Sequence, residues 1–223
     1  MLKTGAEHLE SLRDGRVVYL GRERVDDVTT HPAFANAAST IAALYDHKAA
    51  PEQRDLMSFQ VNGERHSMWF LMPRSAADLE RRRQAHKRIA DLTFGMLGRS
   101  MDHVSSFVTG MAMMPQVFDA GAPGRGQNMV DYYKTMRDND TYAAYAVIPP
   151  QAARNPEFYE KQSLPIPTLR VIREDDDGVV IDGMKMLATG GILANDIWIG
   201  NLIPLAASQR KEAITCAIPV AAS

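Results

Sequence analysis

The chain holds 223 residues, 45% hydrophobic and 23% charged, ordinary globular values that exclude a coiled coil, a collagen-like rod or a disordered tail as its main body. With 25 Lys+Arg against 27 Asp+Glu the formal charge is -2, so no overall basic field exists to hold nucleic acid or an anionic membrane. The one cysteine, Cys216, excludes an intrachain disulfide, a multi-cysteine zinc site and a self-contained iron-sulfur site, and points to a reducing, cytoplasmic setting.

Met1 to Arg13 alternates charge with single apolar residues and carries no signal-peptide core. Thr30 followed by Pro32 reads as a helix start; Phe34, Ile41, Leu44 and Tyr45 recur at helical spacing and predict a helix over 31–46. Asn62-Gly63, between two apolar runs, predicts a hairpin turn within 57–72. Ser75 with Asp78 three residues on resembles a capping box and opens the longest helical stretch, with Leu79, Ile89, Leu92, Met96 and Leu97 as its apolar face. Arg81, Arg82, Arg83, Lys87 and Arg88 on that stretch read as a solvated face. Gly121 to Gly126 is Gly-rich, but no strand precedes it and no Lys-Ser or Lys-Thr follows, so it reads as a linker before a helix over 129–136.

A composition shift at Pro149-Pro150-Gln151 suggests two domains, 1–148 helical and 149–223 β. From Thr168 onward short Val/Ile-rich runs predict antiparallel β structure. Asp175-Asp176-Asp177-Gly178 lacks the alternating ligands and distal Glu of a calcium loop and reads as a hairpin turn, so no metal is predicted. The most apolar late stretch, 197–207, is interrupted by Asn201 and Pro204 and falls short of the ~20 residues that span a bilayer.

Arg99 and His103 stand four apart in a helical stretch, with Asp102 between them. One face carrying an Arg and a His can hold an anionic or phenolic oxygen; the same three residues also suit a surface ion-pair cluster. The methionines at 96, 101, 111, 113 and 114 suit adaptable helix packing. Spacing leaves the function open between an enzyme and a binding module.

Longer matches go further. The segment RDGRVVYLGRERVDDVTTHPAFANAASTIAALYDH at 13–47, GRSMDHV at 98–104, VDYYKTMRDND at 130–140, Pro150-Gln151 and LRVIREDDDGVVIDGMKMLATG at 169–190 together resemble the 4-hydroxyphenylacetate 3-hydroxylase family, the oxygenase components of two-component flavin monooxygenases. The resemblance implies an α+β, acyl-CoA dehydrogenase-like fold: an N-terminal helical domain, then an incomplete antiparallel β-barrel-like domain, the chain stopping before a C-terminal helix bundle. It implies reduced FAD from a separate flavin reductase, O2 as co-substrate through a flavin hydroperoxide, a phenolic substrate, and a homotetramer at full length. The family's Arg falls on Arg99, its Tyr position holds His103 and its His position holds Tyr145, an exchange that leaves one of each type. Proton removal is assigned to His103 and hydrogen bonding to Tyr145. By the same resemblance flavin contacts fall on Tyr145, Ala146, Val147, Gln151, Ala152, Ala153, Arg154 and Thr189, and a substrate-facing loop begins at Asn201 and Leu202. Two alternatives stand beside this: a non-catalytic assembly or interaction subunit, and a 4-hydroxybutyryl-CoA dehydratase-like enzyme, whose cluster cysteines this chain lacks.

Overall fold

The computed structural model describes residues 2–176, 178–202, 204, 205 and 207–222. Helix α1 (Gly5–Ser11) opens on a full capping box: the Glu7 N–H donates to the Thr4 hydroxyl at 3.2 Å and the Thr4 N–H to the Glu7 carboxylate at 2.7 Å. A short hairpin, β1 (Val18–Leu20) and β2 (Glu23–Val25), leads to α2 (Ala35–Ala49). That helix starts later than the predicted 31, and Thr30 is not its cap. Asp27 instead gathers the Thr29 N–H and hydroxyl, at 2.7 and 2.6 Å, while its carbonyl accepts from the N–H groups of Thr30 and His31. This Asx turn takes the backbone groups that a helix start would use.

The short helix α3 (Arg54–Met57) precedes β3 (Ser58–Val61), which pairs antiparallel with β4 (Glu64–Ser67) around Asn62-Gly63. Both turn residues have positive φ, +51° and +88°, the two-residue turn whose twist matches its strands. Met68, Trp69 and Phe70 follow in a buried 3-10 turn. Ser75 caps α4 (Ala76–Leu92), accepting from the Asp78 N–H at 3.1 Å. Its buried stripe is Arg82, Ala85 and Ile89; Leu79, Leu92 and Met96, expected on the apolar face, are exposed, Met96 at 86%. Arg82 is likewise a correction to the solvated reading. Its guanidinium donates to the carbonyls of Trp69 at 2.7 Å and Leu71 at 2.6 Å and to the Ser106 hydroxyl at 3.0 Å, so it serves as an internal staple for main-chain carbonyls at the buried turn.

Helix α5 (Asp102–Ala112) buries Val104, Val108 and Ala112, and α6 (Gln116–Asp119) and the Gly-rich turn lead to α7 (Arg125–Asp138), longer at both ends than predicted. Strand β5 (Ala143–Ala146), helix α8 (Pro156–Lys161), the β6 (Arg170–Asp175) and β7 (Gly178–Asp182) hairpin, β8 (Asp196–Ile199) and β9 (Cys216–Pro219) complete the described chain. Asp177, half of the expected Asp-Gly turn, lies outside the described residues.

The β region departs from an all-antiparallel reading at one place. β8 pairs antiparallel with β9 but parallel with β5, with Tyr145 opposite Trp198, and no closed barrel forms among the described residues. A parallel partner requires a long crossover, here the whole 147–195 segment, and local patterning cannot announce it. Leu193, Ala194 and Trp198 therefore enter the same buried cluster as Ile41, Trp69, Val108 and Tyr133. A smaller cluster, Leu169, Ile199 and Ile214, lies on the β side, with the half-buried Cys216 packed against it.

Candidate active site

Helix α4 stops at Leu92 for a local reason. Phe94 (φ +52°) and Gly95 (φ +70°) close it, the Gly95 N–H donating to Ala90 C=O at 2.8 Å and the Phe94 N–H to Asp91 C=O at 3.3 Å. Arg99 thus lies in the loop before α5 rather than on a helix beside His103, as spacing implied. His103 sits in the first turn of α5, its N–H donating to Ser100 C=O at 3.0 Å.

The loop and the β5 strand nevertheless bring the three expected residues to one point. The Arg99 guanidinium lies 5.4 Å from the centre of the Tyr145 ring, and the His103 ring meets Tyr145 edge-on at 5.8 Å. Phe107, one turn beyond His103, contacts both rings at 5.9 and 5.4 Å and Trp198 at 5.6 Å; Trp198 in turn lies 5.9 Å from Tyr132. Phe107 was legible as the residue four after His103 on the same helical face, whereas Trp198 arrives only through the parallel pairing.

No ion pair joins Asp102 to Arg99 or His103 among the described residues. Asp102 instead takes the Ser100 hydroxyl and faces His86 at 3.9 Å. Arg99 is half-buried, and its guanidinium has no carboxylate partner and no hydrogen bond among the described residues. Burial, then the Arg99 cation, lowers the His103 pKa, with Asp102 opposing, so the imidazole is neutral at pH 7 and free to accept a proton. His103 also borders a cavity of about 410 Å³ between the end of α4 and the start of α5, lined further by His86, Leu97, Ser100, Asp102 and Ser106.

The expected flavin-facing residues lie on two adjacent segments. The Met186 N–H donates to Ile148 C=O at 2.8 Å, which sets the chain carrying Thr189 beside the chain running from Tyr145 to Gln151. Ala146 and Val147 are buried and offer only main chain; Gln151 and Ala152 are exposed, Ala153 is half-buried, and the side chain of Arg154 lies outside the described ones. The Gln151 amide and Thr189 hydroxyl are exposed and make no hydrogen bond among the described residues, a donor set that suits the polar edge of a flavin. Asn201 follows β8, where the Gly200 N–H donates to Ala146 C=O at 3.3 Å. Its side chain is spent on the β region, accepting from Lys185 Nζ at 2.8 Å and donating to the carbonyls of Glu212 at 3.0 Å and Ile214 at 3.3 Å, and Leu202 beside it is exposed. No group of three or more His, Cys, Asp and Glu suited to a metal ion occurs among the described residues.

Residues 4–223 match the family described as 4-hydroxyphenylacetate 3-hydroxylase N terminal. The chain belongs to that family. It is 36% identical over 223 residues to the 4-hydroxyphenylacetate 3-monooxygenase oxygenase component of Thermus thermophilus, covering 98% of this chain and 44% of that protein. The crystal structure of the oxygenase component (HpaB) of 4-hydroxyphenylacetate 3-monooxygenase complexed with FAD and 4-hydroxyphenylacetate superposes with a TM-score of 0.87 at 33% identity, over 98% of this chain and 45% of that one. An archaeal 4-hydroxybutyryl-CoA dehydratase from N. maritimus shares the fold alone, at a TM-score of 0.82 and 22% identity over 100% of this chain and 44% of its own. The architecture is α+β and acyl-CoA dehydrogenase-like, and the chain spans less than half the length of these proteins.

Proposed function

We propose that this chain forms the phenol- and flavin-facing part of a reduced-FAD-dependent aromatic hydroxylase, the oxygenase component of a two-component system. The observation that carries this reading is the half-buried Arg99 guanidinium, without a carboxylate partner among the described residues, stacked over Tyr145 beside a neutral His103. A fixed cation lowers the pKa of a phenol placed against it and stabilises the phenolate, the form of the ring most reactive toward an electrophilic oxygen. His103 takes the phenolic proton, and Tyr145 donates a hydrogen bond to the resulting oxyanion. The Phe107 and Trp198 rings supply the apolar wall that excludes water from the ring. Reduced FAD, held through the main chain near Ala146 and Val147 and through Gln151, Ala152, Ala153, Arg154 and Thr189, supplies the oxygen-transfer chemistry when bound, and Asn201 and Leu202 begin the loop on the substrate side. A separate flavin reductase delivers the FADH2, O2 is the co-substrate, and we read the full-length protein as a cytoplasmic homotetramer. The relationship to a four-subunit state rests on the family; no helix among the described residues is long and apolar enough to cross a membrane.

The test supplies the protein with FAD, NADH and a flavin reductase in air, adds 4-hydroxyphenylacetate, and measures phenol affinity, catechol and hydrogen peroxide separately. Replacing Arg99 with Ala is expected to weaken phenol binding and hydroxylation by about 2–4 kcal/mol while peroxide still forms, and Arg99→Lys to recover only part, because the planar fork is lost. Unchanged affinity and yield in Arg99→Ala would remove the phenol site from this position.

A further inference from the structure

The guanidinium of Arg99 is presented from a loop, and among the described residues no side-chain hydrogen bond holds it, so its aim depends on what fixes its main chain. Met101 two residues on is buried and Ser100 is held by the His103 N–H and by Asp102, while the Arg99 main chain itself has one polar tie among the described residues: the Tyr142 hydroxyl donates to Arg99 C=O at 3.1 Å. We propose that Tyr142 is a positioning residue for Arg99, and that Gly190 leaves the space its hydroxyl occupies; this rests on the phenol-binding reading of Arg99.

Tyr142 is suited to the task because it is itself immobile. It is 1% exposed, and its N–H donates to the Asn195 side chain at 3.3 Å while its carbonyl accepts from the Asn195 N–H at 2.7 Å. It immediately precedes β5, the strand that carries Tyr145, so the bond fixes the Arg99 main chain relative to the ring its guanidinium covers. Burial pushes the Tyr142 phenol up to about 12, which keeps it a donor at working pH. Gly190 has φ +76°, and a Cβ built on it would fall on the Tyr142 hydroxyl. That glycine follows Thr189, so the segment expected to face the flavin and the loop expected to face the phenol meet on one hydroxyl group. A shift of either segment is passed to the other through Tyr142.

The experiment compares the parent with Tyr142→Phe, Gly190→Ala, Arg99→Ala and Tyr142→Phe/Arg99→Ala, measuring 4-hydroxyphenylacetate affinity by calorimetry in the presence of FAD, thermal midpoint, and amide hydrogen exchange of residues 93–101. Tyr142→Phe is expected to weaken phenol binding about three- to tenfold, the worth of one neutral hydrogen bond, and Gly190→Ala by at least as much. In the Arg99→Ala background the Tyr142→Phe change should have no further effect on affinity, since a positioning residue acts only through the group it positions. Full affinity in Tyr142→Phe, or an equal loss with and without Arg99, overturns the proposal. Should Arg99→Ala itself leave affinity unchanged, the phenol-site reading falls separately, and the exchange data decide the rest: faster exchange confined to 93–101 in Tyr142→Phe upholds the tie, and unchanged exchange there overturns it.

Discussion

His103 and His8 show how the same side chain meets two different surroundings in one fold. His103 is half-buried against an aromatic wall and the Arg99 cation, which hold its pKa below the ordinary imidazole value without removing its access to a ligand. In the role of base proposed for it His103 must be unprotonated, so on that reading hydroxylation falls as pH drops through a value below about 6.5, and His103→Phe should lower the rate at neutral pH and abolish that acid limb. A rate profile of the single-turnover step across pH 5–8 checks this; an acid limb that survives in the variant assigns the proton to another group. His8 is fully buried, stacked on Tyr45 at 4.3 Å, with Nε2 donating to Leu193 C=O at 3.1 Å. Burial, with the charges of Lys3 and Lys48, depresses its pKa to about 3. The unfolded chain protonates this residue near pH 6.5 and the folded chain does not, so stability is full above that value and declines as pH falls toward 3, by an amount on the order of a few kcal/mol. His8→Phe should flatten the dependence of the thermal midpoint on pH between 6.5 and 4; an unchanged slope would place the acid sensitivity elsewhere.

At the scale of elements, the helices are held as much by polar staples as by apolar stripes. α4 buries only Ala85 and Ile89 as apolar residues, and Arg82 lies between them and the buried 3-10 turn. Its three hydrogen bonds join α4 and α5 to the Trp69 and Leu71 carbonyls; the Trp69 carbonyl also takes the Thr109 hydroxyl at 3.2 Å, while the Leu71 carbonyl has no other donor among the described residues. Arg82→Ala is therefore expected to destabilise the protein by about 2–4 kcal/mol in denaturant unfolding, and Arg82→Lys to restore less than half, since an ammonium cannot span the three acceptors. Asp140, with φ +48°, does comparable work between elements: its carboxylate takes Lys48, the Ser67 hydroxyl and the Lys3 N–H, and its carbonyl the Tyr45 hydroxyl at 3.0 Å. These features were only partly legible. The Ser75 cap and the Asn62-Gly63 turn depend on neighbours three residues away or fewer and could be read directly. Arg82 could not, because its neighbours Arg81 and Arg83 carry the same charge and only packing separates the buried one from the exposed pair.

At the scale of the whole molecule, one core runs through the helical and β portions. Leu193, Ala194 and Trp198 pack with residues of α2, α5 and α7, and Arg16 reaches across to donate to the carbonyls of Ile192 and Ala194, both at 2.9 Å. A chain ended at residue 148 would lose the β8 partner of β5 and uncover Tyr142, Ala143 and Ala144. It is expected to unfold without a cooperative transition or to aggregate, whereas the 223-residue chain, which keeps the β5–β8 pairing, is expected to melt cooperatively. A cooperative transition in the shorter chain, followed by circular dichroism, would show that the helical portion stands by itself.

Residue order alone determined the Ser75 cap, the Asn62-Gly63 hairpin, the α+β class and the family, because each is written in contiguous residues whose interactions are local or whose pattern is long enough to be specific. It also supplied the trio Arg99, His103 and Tyr145, but assigned the first two to one helix. Only the tertiary structure decided that α4 ends on Phe94-Gly95, that Arg99 is carried by a loop tied to Tyr142, and that β5 takes β8 as a parallel neighbour to bring Trp198 behind Phe107. The physical reason is that a contact between residues distant in sequence is stabilised by burial summed over many partners, and no short window of sequence contains those partners.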